Sequence, residues 1–255
     1  MNLGFIGTGE ITKAVVKGII NSKIKYNKIF LSKRNKIISK YLSSLNQKIY
    51  VLNDNQEIID KSNLVFLGIT PKVGKKIIKK LNFKKSHIVI SFISTIKLNE
   101  LKKYIKIKCT IVRAIPLPPI SLGVGPVPIF PANKKVKNFF NKIGKTIEIR
   151  NEKLSLNFWT MSSMMAPYYE ILNHLSLWLH KKGLNKIKAE NYITSLFLGL
   201  SKNAYQNKYK NLNELVKKSQ TPKGLNEQAL KELKKMNVYK KLEITSNNIL
   251  RRLKD

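Results

Sequence analysis

The chain of 255 residues has room for one large domain or two smaller ones, and its 43% hydrophobic and 25% charged residues are typical of a folded protein. This composition excludes a disordered tail or a collagen-like repeat, and no apolar run reaches the roughly 18–20 residues of a membrane span. The formal charge of +35 is mostly lysine and is spread over both halves of the chain. We interpret it as a compositional bias, with a polyanion-binding surface as the alternative.

Cysteine and targeting signals are sparse. Cys109 is the only cysteine, so it forms neither an internal disulfide nor a cysteine-built zinc site, and we predict no metal. No leader segment is visible in the sequence. We therefore expect a cytoplasmic protein with no membrane partner and no nucleic-acid partner.

The first 150 residues alternate short apolar runs with helical patterns. Strands are predicted at 2–6, 28–32, 49–52, 64–68, 88–92 and 110–113, and helices at 10–21, 37–45 and 56–61. Strands that alternate with helices at this spacing form right-handed crossovers and a parallel sheet. The sequence therefore predicts an α/β fold, a doubly wound and mostly parallel Rossmann sheet.

After Arg150 the strand signals disappear and long helical patterns rich in Met, Trp and Tyr begin. One long helix is predicted over 154–181, and further helices over Lys186–Gln206 and Leu225–Lys235. We place the domains at 1–152 and 153–255. So many large apolar side chains favour a helical interface shared by two chains, with a compact bundle resting on the first domain as the alternative.

A glycine-rich turn follows the first strand directly and opens the first helix. Gly7 permits the tight turn, and Gly9 lets the backbone approach a pyrophosphate at the helix N-terminus. The third glycine of the usual fingerprint is replaced by Thr12. The position of this turn predicts a dinucleotide site, whose residues here are Gly7, Thr8, Gly9, Glu10 and Ile11.

The end of the second strand indicates which dinucleotide binds. An NAD site usually places a carboxylate there, on the ribose 2′-hydroxyl, and this chain has none. Ser32 and Arg34 are instead suited to a 2′-phosphate. We predict NADP(H), with NAD(H) as a possible second cofactor.

Two further strand ends are predicted to complete the cofactor site. Thr70, Pro71 and Lys72 follow the strand at 64–68, and the carboxyl ends of strands in an open sheet form the ligand crevice. Pro116 lies in a proline-stiffened strand end, which we read as a wall beside the nicotinamide. A rigid domain connection is a compatible reading of the same segment.

These motifs together resemble the pyrroline-5-carboxylate reductase family. The resemblance covers nearly the whole chain and rests on residues 4–9, 11–15, 112–116, 143–145, 166–168 and 198–200, with Gly123 and Gly125. It implies an N-terminal Rossmann domain, a C-terminal helical dimerisation domain, and NAD(P)H-dependent reduction of a cyclic imine to proline. A homodimer or higher homo-oligomer is implied as well.

The sequence departs from this family at two places. Leu117 replaces the asparagine of the family's Met-Pro-Asn motif, and residues 221–226 replace its Ser-Pro-Gly-Gly-Thr-Thr substrate loop. Both threonine hydroxyls of that loop are lost. The scaffold of the family is therefore better supported than its substrate.

The changed loop still has the features of an anion site. Thr221 is predicted as a helix N-cap and Pro222 as the first helical residue. This leaves the N–H groups of Lys223, Gly224 and Leu225 free for a carboxylate, favoured by the helix dipole. Asn226, one turn further, would accept a hydrogen bond from a protonated imine and is the predicted catalytic residue. A plain helix start without a ligand is the alternative.

The sequence thus predicts an NADP(H)-dependent oxidoreductase that reduces a small cyclic imine carboxylate, by resemblance 1-pyrroline-5-carboxylate, in proline biosynthesis. Two alternatives are left open. One is a related reductase that acts on another imine or an oxo acid, and the other is a cofactor-binding protein that has lost catalysis.

Overall fold

The computed structural model describes residues 1–206 and 211–254. Within them, eight strands form one sheet in the order β3-β2-β1-β4-β5-β6-β7-β8. All neighbours pair in parallel except β6 and β7. The strands are β1 Leu3–Ile6, β2 Ile29–Ser32, β3 Ile49–Leu52, β4 Leu64–Leu67, β5 Ile88–Ser91, β6 Thr110–Ala114, β7 Pro126–Phe130 and β8 Lys145–Glu148.

The predicted doubly wound, mostly parallel sheet is confirmed. Chain order reverses at β1, which pairs with β2 on one side and with β4 on the other. Such a reversal is where open α/β sheets leave a crevice at the carboxyl ends of their strands. The helices of this part are α1 Glu10–Ile20, α2 Lys36–Ser44, α3 Asn55–Asp60, α4 Pro71–Ile78, α5 Leu98–Ile105 and α6 Lys134–Phe140.

The core lies on both faces of the sheet because successive side chains of a strand point to opposite faces. Phe66 lies in one apolar cluster, where its ring stacks on that of Phe5 at a centroid distance of 4.4 Å. Its neighbours Val65 and Leu67 lie in the cluster on the other face. Burial on both faces explains why the strands read as continuous apolar runs.

Two strands of the sheet, β7 and β8, were not among the predicted ones. Proline normally argues against an inner strand, and β7 contains Pro126 and Pro128. Both prolines are paired with residues of β8 in the register of the sheet. The carbonyl of Pro128 also accepts a hydrogen bond from the N–H of Ile115 at 2.9 Å.

Contacts divide the chain into two compact units, Met1–Trp159 and Thr160–Asp255. The helices after the sheet are α7 Ser155–Ser162, α8 Met165–Lys181, α9 Lys186–Gln206, α10 Leu212–Lys218, α11 Leu225–Lys235 and α12 Val238–Lys254. The domain boundary at 152/153 stays a prediction. In the described ranges, the structure contains no helix with the length and hydropathy needed to traverse a bilayer.

The single helix predicted over 154–181 is wrong, because the structure breaks it into α7 and α8. The N–H groups of Ser163 and Met164 bond to the carbonyls three residues earlier, and the Ser163 hydroxyl donates to the carbonyl of Thr160 at 2.6 Å. Such local hydroxyl bonds compete with a regular helix. Pro167 then falls in the first turn of α8, where a missing N–H costs nothing.

Candidate active site

The turn between β1 and α1 is shaped by two glycines with different roles. Gly7 has φ +97°, and a Cβ there would collide with the side chain of Ile69 and the carbonyl oxygen of Gly68. A Cβ on Gly9 would meet nothing within 4 Å. Gly7 therefore permits the fold of the turn, whereas Gly9 leaves open the space over the N-terminus of α1.

Hydroxyl groups hold this turn in place. The N–H of Gly7 donates to Ser32 Oγ at 2.8 Å, and Thr8 Oγ1 donates to the Ser32 carbonyl at 2.5 Å. Thr12, the residue in place of the third glycine, donates its hydroxyl to the carbonyl of Gly7 at 2.8 Å. The hydroxyl of Ser32 is buried, and its hydrogen-bond partner is the N–H of Gly7 in the turn itself. Arg34 is the exposed member of the pair predicted for the 2′-phosphate.

A cleft of about 610 Å³ opens above the turn at the carboxyl ends of β1, β2 and β4. Gly7, Thr8, Gly9, Arg34 and Thr70, five of the predicted cofactor residues, line it. The other lining residues are Asn35, Lys36, Ile37, Gly68 and Ile69. Among these described residues there is no carboxylate, and two are cationic.

The remaining predicted cofactor residues are not among those that line the cleft. They are Glu10, Ile11, Ser32, Pro71, Lys72 and Pro116. Glu10 is exposed and pairs with Lys13 at 3.3 Å. Pro71 is the first residue of α4, directly after Thr70, its N-cap. Lys72 is exposed and Pro116 is buried.

The cleft suits a phosphorylated dinucleotide. Since Gly9 is the N-cap of α1 and carries no side chain, a pyrophosphate has access to the helix N–H groups and the positive end of the helix dipole. The guanidinium of Arg34 and the absence of a carboxylate from the lining fit a 2′-phosphate.

The predicted substrate loop has a different local structure from the one expected. Helix α11 begins at Leu225 with Gly224 as its N-cap, not at Pro222. Lys223 adopts a left-handed conformation with φ 60°, and the N–H of Gly224 closes a turn onto the carbonyl of Thr221 at 2.9 Å. Residues 222–224, which were expected to form the first turn of the helix, therefore belong to this turn instead.

Two of the three N–H groups predicted to be free are therefore engaged. The N–H of Lys223 donates to Glu227 Oε2 at 2.7 Å, and that of Gly224 donates within the turn. Hydrogen bonds from the Lys231 side chain and the Lys223 N–H lower the pKa of Glu227, so this carboxylate is ionised where a substrate carboxylate was expected. Leu225, the first residue of α11, still offers a first-turn N–H.

Asn226 lies at the edge of a cavity within the helical unit. Its Nδ2 donates to the carbonyl of Ser219 at 2.9 Å, which directs the amide and leaves Oδ1 as an acceptor. The cavity has a volume of about 620 Å³ and mainly apolar walls, formed by Leu200, Leu212, Leu215, Val216, Ser219, Gln220, Asn226 and Leu230.

Outside the lining of the cleft, the structure contains a partly buried ion pair that was not predicted from the sequence. Arg113, at the end of β6, donates from Nη1 to Glu152 Oε1 at 2.6 Å and from Nη2 to the carbonyl of Ser94 at 2.6 Å. An arginine inside a buried strand was the available signal, because such a charge needs a partner. The 39 residues between Arg113 and Glu152 left that partner unidentified.

Two family models match the chain. One, described as NADP oxidoreductase coenzyme F420-dependent, covers residues 2–95, and the other, described as pyrroline-5-carboxylate reductase dimerisation, covers residues 153–254. The glycine turn, the cleft and the first match define a dinucleotide-binding oxidoreductase. The second match assigns residues 153–254 to the pyrroline-5-carboxylate reductase dimerisation family, and the chain as a whole resembles pyrroline-5-carboxylate reductases.

Individual relatives agree with this assignment. The chain is 26% identical to pyrroline-5-carboxylate reductase of Staphylococcus haemolyticus over 79% of its own length and 78% of that protein. Among solved structures, it is similar to 1-pyrroline-5-carboxylate reductase of Streptococcus pyogenes, with TM-score 0.84, 22% identity and coverage of 100% and 98%. The Plasmodium falciparum enzyme with NADP bound gives TM-score 0.84, 20% identity and coverage of 100% and 97%. These structures show the fold.

Proposed function

We propose that this protein is an NADPH-dependent reductase of a cyclic imine carboxylate, and that 1-pyrroline-5-carboxylate, reduced to proline, is its substrate. The observation that carries the proposal is the cleft over Gly9, whose Cβ position is open. The similarity of the chain to pyrroline-5-carboxylate reductases supports the choice of substrate. The chain acts in the cytoplasm as a homodimer or higher homo-oligomer.

The reaction asks mainly for positioning. The bound dinucleotide supplies the hydride, which goes to the imine carbon, while the nitrogen carries one proton taken up from solvent. A protonated imine is already electrophilic, so the chain needs no strong acid and contributes orientation and a polar acceptor. We assign the acceptor to Asn226 Oδ1, and the carboxylate contact to the first-turn N–H of Leu225.

The test is NADPH oxidation, followed by absorbance, with a panel of cyclic imine carboxylates that differ in ring size and carboxylate position. We expect the highest kcat/KM with 1-pyrroline-5-carboxylate. A higher value with another ring would identify a related reductase. Turnover with no member of the panel, by protein that binds NADPH, would indicate a cofactor-binding protein without catalysis, the reading that Leu117 and the exposed Leu225 favour.

Arg34→Glu is expected to reverse the cofactor preference from NADPH to NADH. The charge-assisted contact with the 2′-phosphate is worth on the order of 1.5–3 kcal/mol, roughly tenfold or more in affinity. Calorimetric titration of both cofactors measures the change. Ser32→Ala is the matched control: because Ser32 supports the glycine turn, it should weaken both cofactors alike. Equal binding of NADPH and NADH by the parent protein would contradict the assignment.

Asn226→Leu is expected to lower kcat by about tenfold and to leave NADPH affinity unchanged, because the lost hydrogen bond forms with the imine and not with the cofactor. Steady-state kinetics and NADPH titration measure the two effects. Gln228→Leu is the control, since Gln228 lies two residues along α11 and bonds to Glu232 instead. If Asn226→Leu kept the kinetic constants of the parent protein, the substrate would have to bind elsewhere.

A further inference from the structure

The ion pair of Arg113 and Glu152 holds a loop at both ends. Arg113 Nη2 binds the carbonyl of Ser94, and Glu152 Oε1 accepts both Arg113 Nη1 and the N–H of Leu98 at 2.7 Å. Residues 94–98 form the second half of the connection from β5 to α5 and end at Leu98, the first residue of α5. A single ion pair, in which Arg113 is buried and Glu152 is 22% exposed, therefore fixes where this loop begins and where it ends. We call this pair the loop clamp.

Stability alone is a poor reason for such a pair. Arg113 is only 6% exposed, and its Nε has no hydrogen-bond acceptor among the described residues. Desolvating a buried ion pair usually offsets its Coulomb attraction, and an unsatisfied buried donor adds a further cost. The pair also bonds to the carbonyl of Ser94 and the N–H of Leu98, which indicates that it serves to fix the position of the loop.

The loop packs under one wall of the dinucleotide cleft. Ile96, in the middle of the loop, lies in one apolar cluster with Ile93 and Ile69. All three side chains converge on Gly74, where an added Cβ would lie 3.1 Å from Ile93, 3.4 Å from Ile96 and 3.6 Å from Ile69. Ile69 in turn lines the cleft. Because these side chains pack together, a shift of the loop would also move Ile69 and with it the wall of the cleft at the end of β4.

This wall lies on the opposite side of the cleft from Arg34. A dinucleotide bound across the switch point places its adenosine ribose at the end of β2, so its other half lies toward β4 and β5. The loop clamp is thus connected by packing to the nicotinamide half of the cleft and not to the half that reads the 2′-phosphate.

We propose that Arg113 and Glu152 are positioning residues that set the nicotinamide half of the cleft by holding the loop at residues 94–98. The proposal rests on the proposed dinucleotide binding. Neither residue lines the cleft, and the pair acts through Ile96 and Ile69.

The test compares two ligands on the full-length protein, NADPH and 2′-phospho-ADP-ribose, which lacks the nicotinamide. In Glu152→Ala, NADPH affinity should fall by about tenfold, while affinity for 2′-phospho-ADP-ribose stays within about twofold. Glu152→Gln retains a carbonyl acceptor and should recover part of the loss. Glu148→Ala is the matched control, because it removes an ion pair of the same 2.6 Å length, with Lys137, from the surface.

Amide hydrogen exchange gives a readout that does not depend on ligands. Exchange in peptides covering 94–98 should accelerate in Glu152→Ala and remain at the parent rate in Glu148→Ala. The proposal would be overturned if Glu152→Ala lost affinity for both ligands to the same extent, or if its hydrogen exchange at residues 94–98 stayed at the parent rate. If Glu152→Ala does not fold, the same two measurements on Glu152→Gln decide it. Parent protein that binds neither ligand would refute the proposed function instead, and the exchange experiment would still test the clamp.

Discussion

Gly9→Val is expected to remove most NADPH binding without unfolding the protein. Gly9 has φ −89° and ψ −175°, an extended conformation that valine adopts readily, and its Cβ position is open. The new side chain would occupy the space in which a pyrophosphate meets the N-terminus of α1. Losing one charged hydrogen bond, worth about 1.5–3 kcal/mol, lowers affinity by roughly tenfold at the lower value and roughly 100-fold at the upper value.

Calorimetry with NADPH and a thermal melt separate this effect from misfolding. The Tm of Gly9→Val should stay near that of the parent. Gly7→Ala is the contrasting variant, because its Cβ would collide with Ile69 and Gly68 at a positive φ, so its Tm should fall. Gly123→Ala controls for positive φ alone, since its Cβ meets nothing within 4 Å. Parent-like NADPH affinity in Gly9→Val would show that no phosphate binds over this turn.

At micromolar concentration the protein is expected to be at least a dimer, joined through its helical unit. Among the described residues of that unit, the buried apolar side chains are Ala189 and Ile193. Large apolar side chains remain exposed on every one of its helices from α8 to α12; they include Tyr169, Trp178, Ile187, Leu198, Leu212, Leu233 and Tyr239. So much exposed apolar surface is unusual for a monomer and typical of an obligate interface.

Light scattering on the parent protein and on Leu198→Glu tests this expectation. Leu198 is 68% exposed in the single chain, so a glutamate there costs little unless another chain covers it. We expect Leu198→Glu to shift the protein toward monomer and to lower its Tm. Lys188→Glu, at an exposed position of the same helix, controls for the charge change. A parent protein that stays monomeric would contradict the interface.

The fold was largely predictable because its signals are local. A buried strand needs a continuous apolar run, a helix has its own period, and the glycine turn needs residues 7 and 9 without side chains, so each can be recognised without knowing its neighbours. β7 was missed for the same reason. Its two prolines argue against a strand locally, while the pairing that holds β7 in the sheet comes from the neighbouring strands β6 and β8.

The sequence by itself determined the first six strands of the sheet, the position of the glycine turn, the absence of a carboxylate after β2 and the helical second half. Tertiary structure alone decided how polar groups are paired. Ser32 accepts the N–H of Gly7, 25 positions away in the chain, and Arg113 pairs with Glu152, 39 positions away. A hydrogen bond forms only when folding brings donor and acceptor to the right distance within a few tenths of an ångström. An apolar pattern depends only on which residue types follow one another.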